Sequence, residues 1–442
     1  MCAQTSTELQ EAKTPYQAAF EALSKNITGQ EPAWLSEIRK HAIDRFDELG
    51  FPTTRQEEWR FTNIRSLAAQ AFTAADEVSA YPDDAFGAVS IPAQDAYRLV
   101  FVNGFFSAER SNLDGIPSNI KIGTLASALE NEPTLIEPHL ARLGSYEDNP
   151  FAALNTAMMR DGAVIFVPQG AVLDKPVHLI YLSNATGGAV VSYPRSLVIA
   201  GNNSQFNVIE TFAGTGETYF TNAVTEIVAG ENVNVHLVRL QREEETAYHI
   251  STTKALLAKD AVVKHHNICY GAALTRNSID AVLDAEGIDC TLNGLVLTEG
   301  KQHVDNQTTL FHEKPHCHSW EMYKSILNDE AQSIFKGKIF VQKDAQKTDA
   351  KQNSQSLLMS DKASAHAMPQ LEIYADDVKC THGATTGRLN EEAIFYAQAR
   401  GIPKPQARAM LTYAFAKEVV EEIPLEAVRE ELDKMISRRL PV

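Results

Sequence analysis

The chain has 442 residues, of which 44% are hydrophobic and 22% charged, a globular composition with room for two or three domains and a large core. Its 40 basic and 57 acidic residues leave a net charge of -17, which argues against nucleic-acid or anionic-membrane partners, and no stretch approaches the roughly 20 apolar residues of a bilayer span. The five cysteines, at positions 2, 269, 290, 317 and 380, lack disulfide-framework spacing, and the first 30 residues carry Glu8, Glu11 and Glu21 without an apolar leader, so a reducing, cytoplasmic location is expected.

In chain order, Tyr16, Phe20 and Leu23 recur at helical spacing. Leu35, Ile38, Ala42, Phe46 and Leu49 form a longer stripe that Gly50 ends. A short polar helical turn is expected within Thr54 to Phe61, followed by a loop-rich part containing Pro82 and Pro117. Asn149-Pro150 opens an apolar helix reaching Met159, and residues 162–168 begin a strand region. Val177, Leu179 and Tyr181 alternate with His178 and Ile180, as in a strand buried on both faces. Residues 1–160 thus read as a helical and mixed N-terminal region.

From about residue 195 the period changes. The turn pairs Gly201-Asn202, Gly230-Glu231, Lys259-Asp260 and Glu286-Gly287 fall 29, 29 and 27 residues apart, each followed by short apolar alternations such as Val233, Val235 and Leu237. One such segment cannot bury its apolar face alone, whereas stacked copies share a core. Beyond Leu297, turns at Asn328-Asp329, Lys343-Asp344, Asp361-Lys362 and Asp376-Asp377 recur at steps of 15, 18 and 15, like half-coils with a turn at each corner. A mainly β fold with a parallel β-helix core over 161–380 is the favoured reading, and a β-sandwich with Gly/Asn turns is the alternative. A solenoid needs its end coils covered, a task that either flanking region could take.

Residues 388–442 read as three helices in a compact bundle: one capped near Asn390, a second from about Pro405 to Ile423, and a third with Val428, Leu432 and Ile436 at steps of four. Arg438-Arg439 would complement the last helix's C-terminus. The bundle is a candidate docking module.

Three groups of residues could carry chemistry. His312, His316, Cys317 and His318 include zinc or iron ligand types, but strand alternation would put His316 and His318 on one face and Cys317 on the other, so polar packing is expected instead. Adjacent His265 and His266, with Cys269, would need a bulge to act together. Cys380 and His382, two residues apart in Cys380-Thr381-His382-Gly383, would share one strand face, and Gly383 would permit a turn directly after. One thiol and one imidazole are too few for a closed metal site, so a second chain would have to complete it. No phosphate-binding loop, dinucleotide fingerprint, zinc-protease motif or nucleophile elbow occurs, and no catalytic residues are assigned.

Residues 349–360, residues 370–385 and the stretch Phe395-Tyr396 to Arg400-Gly401-Ile402-Pro403 resemble the SufB/SufD family of iron–sulfur cluster assembly scaffolds. Residues 57–63, 312–318 and 323–326 match it as well, so the likeness runs from about residue 50 to 440. Within the family, the Cys-x-His-Gly form, the helical N-terminal region and the modest length look more like the SufD subunit than SufB. The resemblance implies a right-handed parallel β-helix with helical ends and a non-catalytic role. It implies pairing with a SufB-like scaffold through the β-helix and reception of a SufC-like ABC-type ATPase by residues 388–442, with a homodimer open in isolation. His382 corresponds to the interfacial histidine proposed to face a SufB cysteine during cluster assembly, and Cys380 to its neighbour. No cofactor stably held by the isolated chain is implied, only transient iron or an Fe–S cluster in the complex, with flavin in the complex left open. The alternatives are a purely structural scaffold without metal contact and a carbohydrate-active β-helix enzyme, the latter requiring carboxylates that converge on an external groove.

Overall fold

The computed structural model describes residues 13–27, 31–75, 80–91, 95–144 and 146–439; Cys2, Glu8 and Glu11 lie outside the described residues. Its core is a right-handed parallel β-solenoid in which the chain alternates between two facing sheets. The first sheet contains Arg195–Ala200, Tyr219–Ala229, Tyr248–Leu257, Leu274–Leu283, His303–His312, Gln332–Val341 and Ser364–Ile373. The second contains Val177–Ala185, Gln205–Gly216, Asn234–Arg242, Val262–Cys269, Asp289–Thr298, His318–Leu327, Asp349–Leu358 and Lys379–Gly387. Neighbours in both runs pair parallel, which excludes the antiparallel sandwich. Asn234 pairs with Val262, Val262 with Asp289, Asp289 with His318, His318 with Asp349 and Asp349 with Lys379, so one coil takes 27 to 31 residues.

The recurring turns have a conformational cause. Where the chain passes from the first sheet to the second, each coil places one residue in the left-handed region: Asn203, Asn232, Asp260, Gly287, His316 and Lys347, with φ between 53° and 76°. Asn, Asp and Gly tolerate that region best. The corners stack: Asn203 N–H donates to Glu231 O, Asn232 N–H to Lys259 O and Asp260 N–H to Glu286 O. Gly287 is required twice over, by its φ of 76° and because a Cβ there would stand 2.1 Å from Asp260 Oδ1.

Alternation along each strand sends one set of side chains into the lumen and the other outward. Phe101, Tyr181 and Phe212 stack through the first rungs at centroid spacings of 5.2 and 5.1 Å. Farther along, the lumen becomes polar. Arg239 and Glu210 form a fully buried ion pair at 2.7 Å, and Arg239 also donates to Ser251 and Thr253.

Both flanking regions clad the sides of the solenoid, and strands of the N-terminal one also close its first end. Helices α1 (Lys13–Ile27), α2 (Ala33–Leu49) and α3 (Pro150–Met158) share a core with outward residues of the first sheet, including Phe220, Ile250 and Leu274. Asn149 caps α3 by accepting from Phe151 N–H and Ala152 N–H. The turn at Glu57–Trp59 clasps the same sheet farther on: Trp59 lies under the Arg276 guanidinium at 3.7 Å, Lys336 pairs with Glu58 at 2.8 Å and Phe61 stacks on His366. The C-terminal helices α4 (Glu391–Gln398), α5 (Lys404–Val420) and α6 (Glu426–Arg439) pack on one another, and the last two also lie on the second sheet. Ala416, Val419, Val428 and Leu432 meet Val238, Leu240, Ile268 and Leu295 there. Arg439 donates to Leu297 O at 3.0 Å and stacks on Tyr270, so it ties α6 to the coils as well as following its acidic start.

The two ends differ. At the first, Lys121–Thr124 pairs antiparallel with Ala163–Val167, and Tyr97–Val102 with Phe105–Phe106 closes the other sheet. At the far end, Lys379–Gly387 has one strand neighbour, Asp349–Leu358, and no strand on its other edge among the described residues.

Removing one member of a buried ion pair leaves the other uncompensated, at about 3–5 kcal/mol, whereas replacing both by apolar residues costs far less. Arg239→Met should therefore lower stability by about 3–5 kcal/mol in urea titrations, and adding Glu210→Leu should recover most of that loss.

Candidate functional site at the open end of the solenoid

The last strand, Lys379–Gly387, is where the sequence-derived pair falls. Cys380 pairs in register with Ala350, and His382 with Gln352. Cys380 packs against the lumenal core and is half-buried, so both side chains belong to the lumen-facing set, about 7 Å apart along the strand. His382 is exposed because no further coil lies above it, and its ring makes no hydrogen bond to any described residue. The turn allowed for at Gly383 does not form: Gly383 continues the ladder opposite Asn353, and the strand runs to Gly387.

Beneath His382 lies a polar column that sequence reading did not single out. In successive coils, Leu292 pairs with Glu321, Glu321 with Gln352 and Gln352 with His382. Gln352 Nε2 donates to Glu321 Oε2 at 2.5 Å, and both side chains are buried. Gln352 Oε1 has no hydrogen-bond partner among the described residues. Burial pushes the Glu321 carboxyl up to about 7, against hydrogen bonds from Thr308 and Gln352. The signal that could have found the column is the coil length itself, since these residues recur one coil apart.

The other two clusters disperse. His312 closes one strand, buried with Nε2 2.9 Å from Ser319 Oγ, and His318 opens the next, exposed. His316 is not on a strand: it takes the left-handed corner at φ 60°, and Cys317 turns inward to donate to Ala285 O at 3.1 Å. His265 and His266 sit on a regular strand without a bulge, in register with Leu237 and Val238, so they face opposite ways. Cys269 receives Asn277 Nδ2 at 3.3 Å, and burial pushes its thiol up to about 12. Burial likewise raises Cys290, Cys317 and Cys380. No three His, Cys, Asp or Glu side chains converge as a metal site among the described residues. One imidazole with both ring nitrogens unengaged and one half-buried thiol can contribute ligands to iron, but they cannot enclose it.

A parallel solenoid clad by helices on two sides, with an open end that presents one imidazole, defines a scaffold more than a catalytic cleft. The family comparison agrees. Residues 181–415 match the SufBD core domain of SUF-system FeS cluster assembly, and residues 10–179 match the SufBD protein N-terminal region. The chain belongs to the SufB/SufD family, and so to the iron–sulfur cluster assembly machinery. It is 33% identical over 424 residues to the iron-sulfur cluster assembly SufBD family protein slr0076 of Synechocystis, covering 93% of each chain. It is 31% identical over 398 residues to SufD of Escherichia coli, covering 89% of this chain and 90% of the relative. It is 23% identical over 418 residues to SufB of Bacillus subtilis, covering 90% and 87%.

Glu321 ties stability to pH. The folded chain holds this proton up to about pH 7, whereas an unfolded Glu releases it near about 4.3. The folded state thus binds more protons between these values, and stability falls as pH rises through that window, by on the order of 3 kcal/mol. Glu321→Gln should remove this contribution: the variant should outlast the parent in urea at pH 8, and the difference should vanish towards pH 4.5.

Proposed function

We propose that this chain is the SufD-like subunit of a cytoplasmic SufB–SufC–SufD-type complex, with its open solenoid end as the face met by a SufB-like partner. The observation that carries this reading is His382, exposed and free of hydrogen bonds on a terminal strand whose outer edge has no neighbouring strand among the described residues. Such an edge offers a row of N–H and C=O groups to another chain. At that face His382 gives a nitrogen lone pair to iron or a nascent cluster, which is cargo passing through the complex, and thiolates of the partner supply the remaining ligands. Cys380, less accessible and with its thiol raised by burial, has the secondary role.

The ATPase docks on residues 388–442. Phe395 and Tyr396 on α4 are 72% and 60% exposed, and Met410 on α5 is 57% exposed, large apolar groups left in solvent of the kind that marks partner surfaces. Nucleotide-driven pairing of two ATPase subunits then shifts the population of arrangements at the solenoid interface.

His382→Ala in the purified three-component complex should abolish or strongly reduce the iron-dependent absorbance that develops on anaerobic reconstitution, with the subunits still co-purifying. Undiminished cluster formation would remove the ligand role and leave a structural scaffold. Phe395→Asp with Tyr396→Asp should weaken ATPase association at least tenfold, or about 1.4 kcal/mol, in a binding titration, while the melting temperature of the isolated chain stays unchanged.

A further inference from the structure

The lumen beneath His382 contains a polar atom that finds no partner among the described residues. Gln352 is buried, its Nε2 is engaged by Glu321 Oε2 at 2.5 Å, and its Oε1 is left without a hydrogen bond. A buried carbonyl left unpaired keeps its desolvation cost without compensation, so an amide in this state calls for a donor. Above about pH 7, where Glu321 is ionised, its carboxylate can only accept, which commits the Gln352 NH2 group to it and leaves the amide oxygen for something else. On the next rung stands His382, in register with Gln352 and on the same lumen-facing side. Adjacent strands lie about 4.8 Å apart, within reach of a ring N–H turned downward. The His382 ring has no other engagement among the described residues.

We infer that Gln352, held by Glu321, is a positioning residue for His382: its amide oxygen accepts one ring N–H, fixes the neutral tautomer and directs the other ring nitrogen out of the open end. The inference rests on the reading of His382 as an interfacial ligand and specifies how that ligand is aimed. The gain is preorganisation. A metal-binding imidazole commonly donates its second nitrogen to a carbonyl or carboxylate, which sets its orientation and raises its basicity. Here the acceptor is an amide, and the carboxylate sits one rung deeper, so the ring gains direction without a carboxylate in direct contact. Glu321 is linked to His382 only through Gln352.

The test is nitrogen NMR on the intact chain, labelled at histidine, at pH 8, with His382→Ala assigning the His382 signals. In the parent, the two His382 ring nitrogens should differ strongly in chemical shift, one protonated and the other not. Gln352→Met removes the acceptor but keeps the length of the side chain, and should draw the two shifts together as both tautomers become populated. Exchanging the pair, with Glu321→Gln and Gln352→Glu in one chain, places a carboxylate directly below the ring; it should restore the separation. A parent spectrum already showing a balanced mixture of tautomers would overturn the inference, as would a Gln352→Met spectrum with the separation intact. If Gln352→Met fails to fold, the parent and exchanged chains still decide it, because an exchanged chain whose two His382 ring-nitrogen shifts converge also overturns it. These spectra require no iron, so they stand apart from the reconstitution experiment: a fixed tautomer with no loss of clusters in His382→Ala would remove the ligand role and keep the aiming contact.

Discussion

The structure depends on in-register stacking of coils that cannot stand individually. Inside the solenoid each strand has both edges occupied by parallel neighbours, so backbone hydrogen bonding is satisfied only by the presence of the next coil. Such a stack necessarily has two ends. The first is finished by antiparallel strands, which stop propagation. The other stops at Lys379–Gly387, whose outer edge has no strand neighbour among the described residues. The position of the candidate site therefore follows from topology: His382 is exposed because of where the stacking ends, and not because its own strand is irregular.

A polar lumen serves this arrangement in a way that an apolar one would not. Parallel coils of similar length can slip, and a slip of one residue turns every side chain to the opposite face. With Arg239 inward it meets Glu210, Ser251 and Thr253; shifted by one residue it would leave a buried carboxylate unpaired, at a cost of several kcal/mol. Leu237 or Val235 would tolerate the same shift far better. The buried pair costs desolvation, and in return it makes the wrong register much worse than the right one.

The coil period could be read in the sequence because the left-handed corner selects residues: Asn203, Asn232, Asp260 and Gly287 announce it. It fades after Leu297 because the next corners are His316 and Lys347, which take the same conformation without being typical of it. His316 thus looked like part of a ligand cluster when its place is conformational. The helices were legible from their apolar stripes, but their placement was not. A stripe such as Val428, Leu432 and Ile436 looks the same whether it caps an end or lies along a side, and the outward Val238, Leu240 and Ile268 that receive it are spread over separate coils. At the site, Cys380 and His382 were legible from the motif. Glu321 and Gln352 were not, since carboxylates and amides are ordinarily read as surface residues, and only the coil register shows that they lie beneath His382.

The same strand that carries Glu321 also connects the column to the helical cladding. Lys324, three residues on, faces outward and is buried; it pairs with Glu418 of α5 at 2.5 Å and lies over the Phe415 ring at 4.4 Å. Tyr323, between them in sequence, points inward and fills the space above Gly294, where a Cβ would stand 2.3 Å from the Tyr323 ring. Within four residues the strand therefore has a lumenal carboxylate, a lumenal ring with no slack and an ammonium fastened to α5. Strands packed this closely shift as units instead of bending locally. On the proposed reading, force that an ATPase applies to the C-terminal helices enters the solenoid at Lys324 and reaches the column under His382 within one strand, because no flexible segment separates the two.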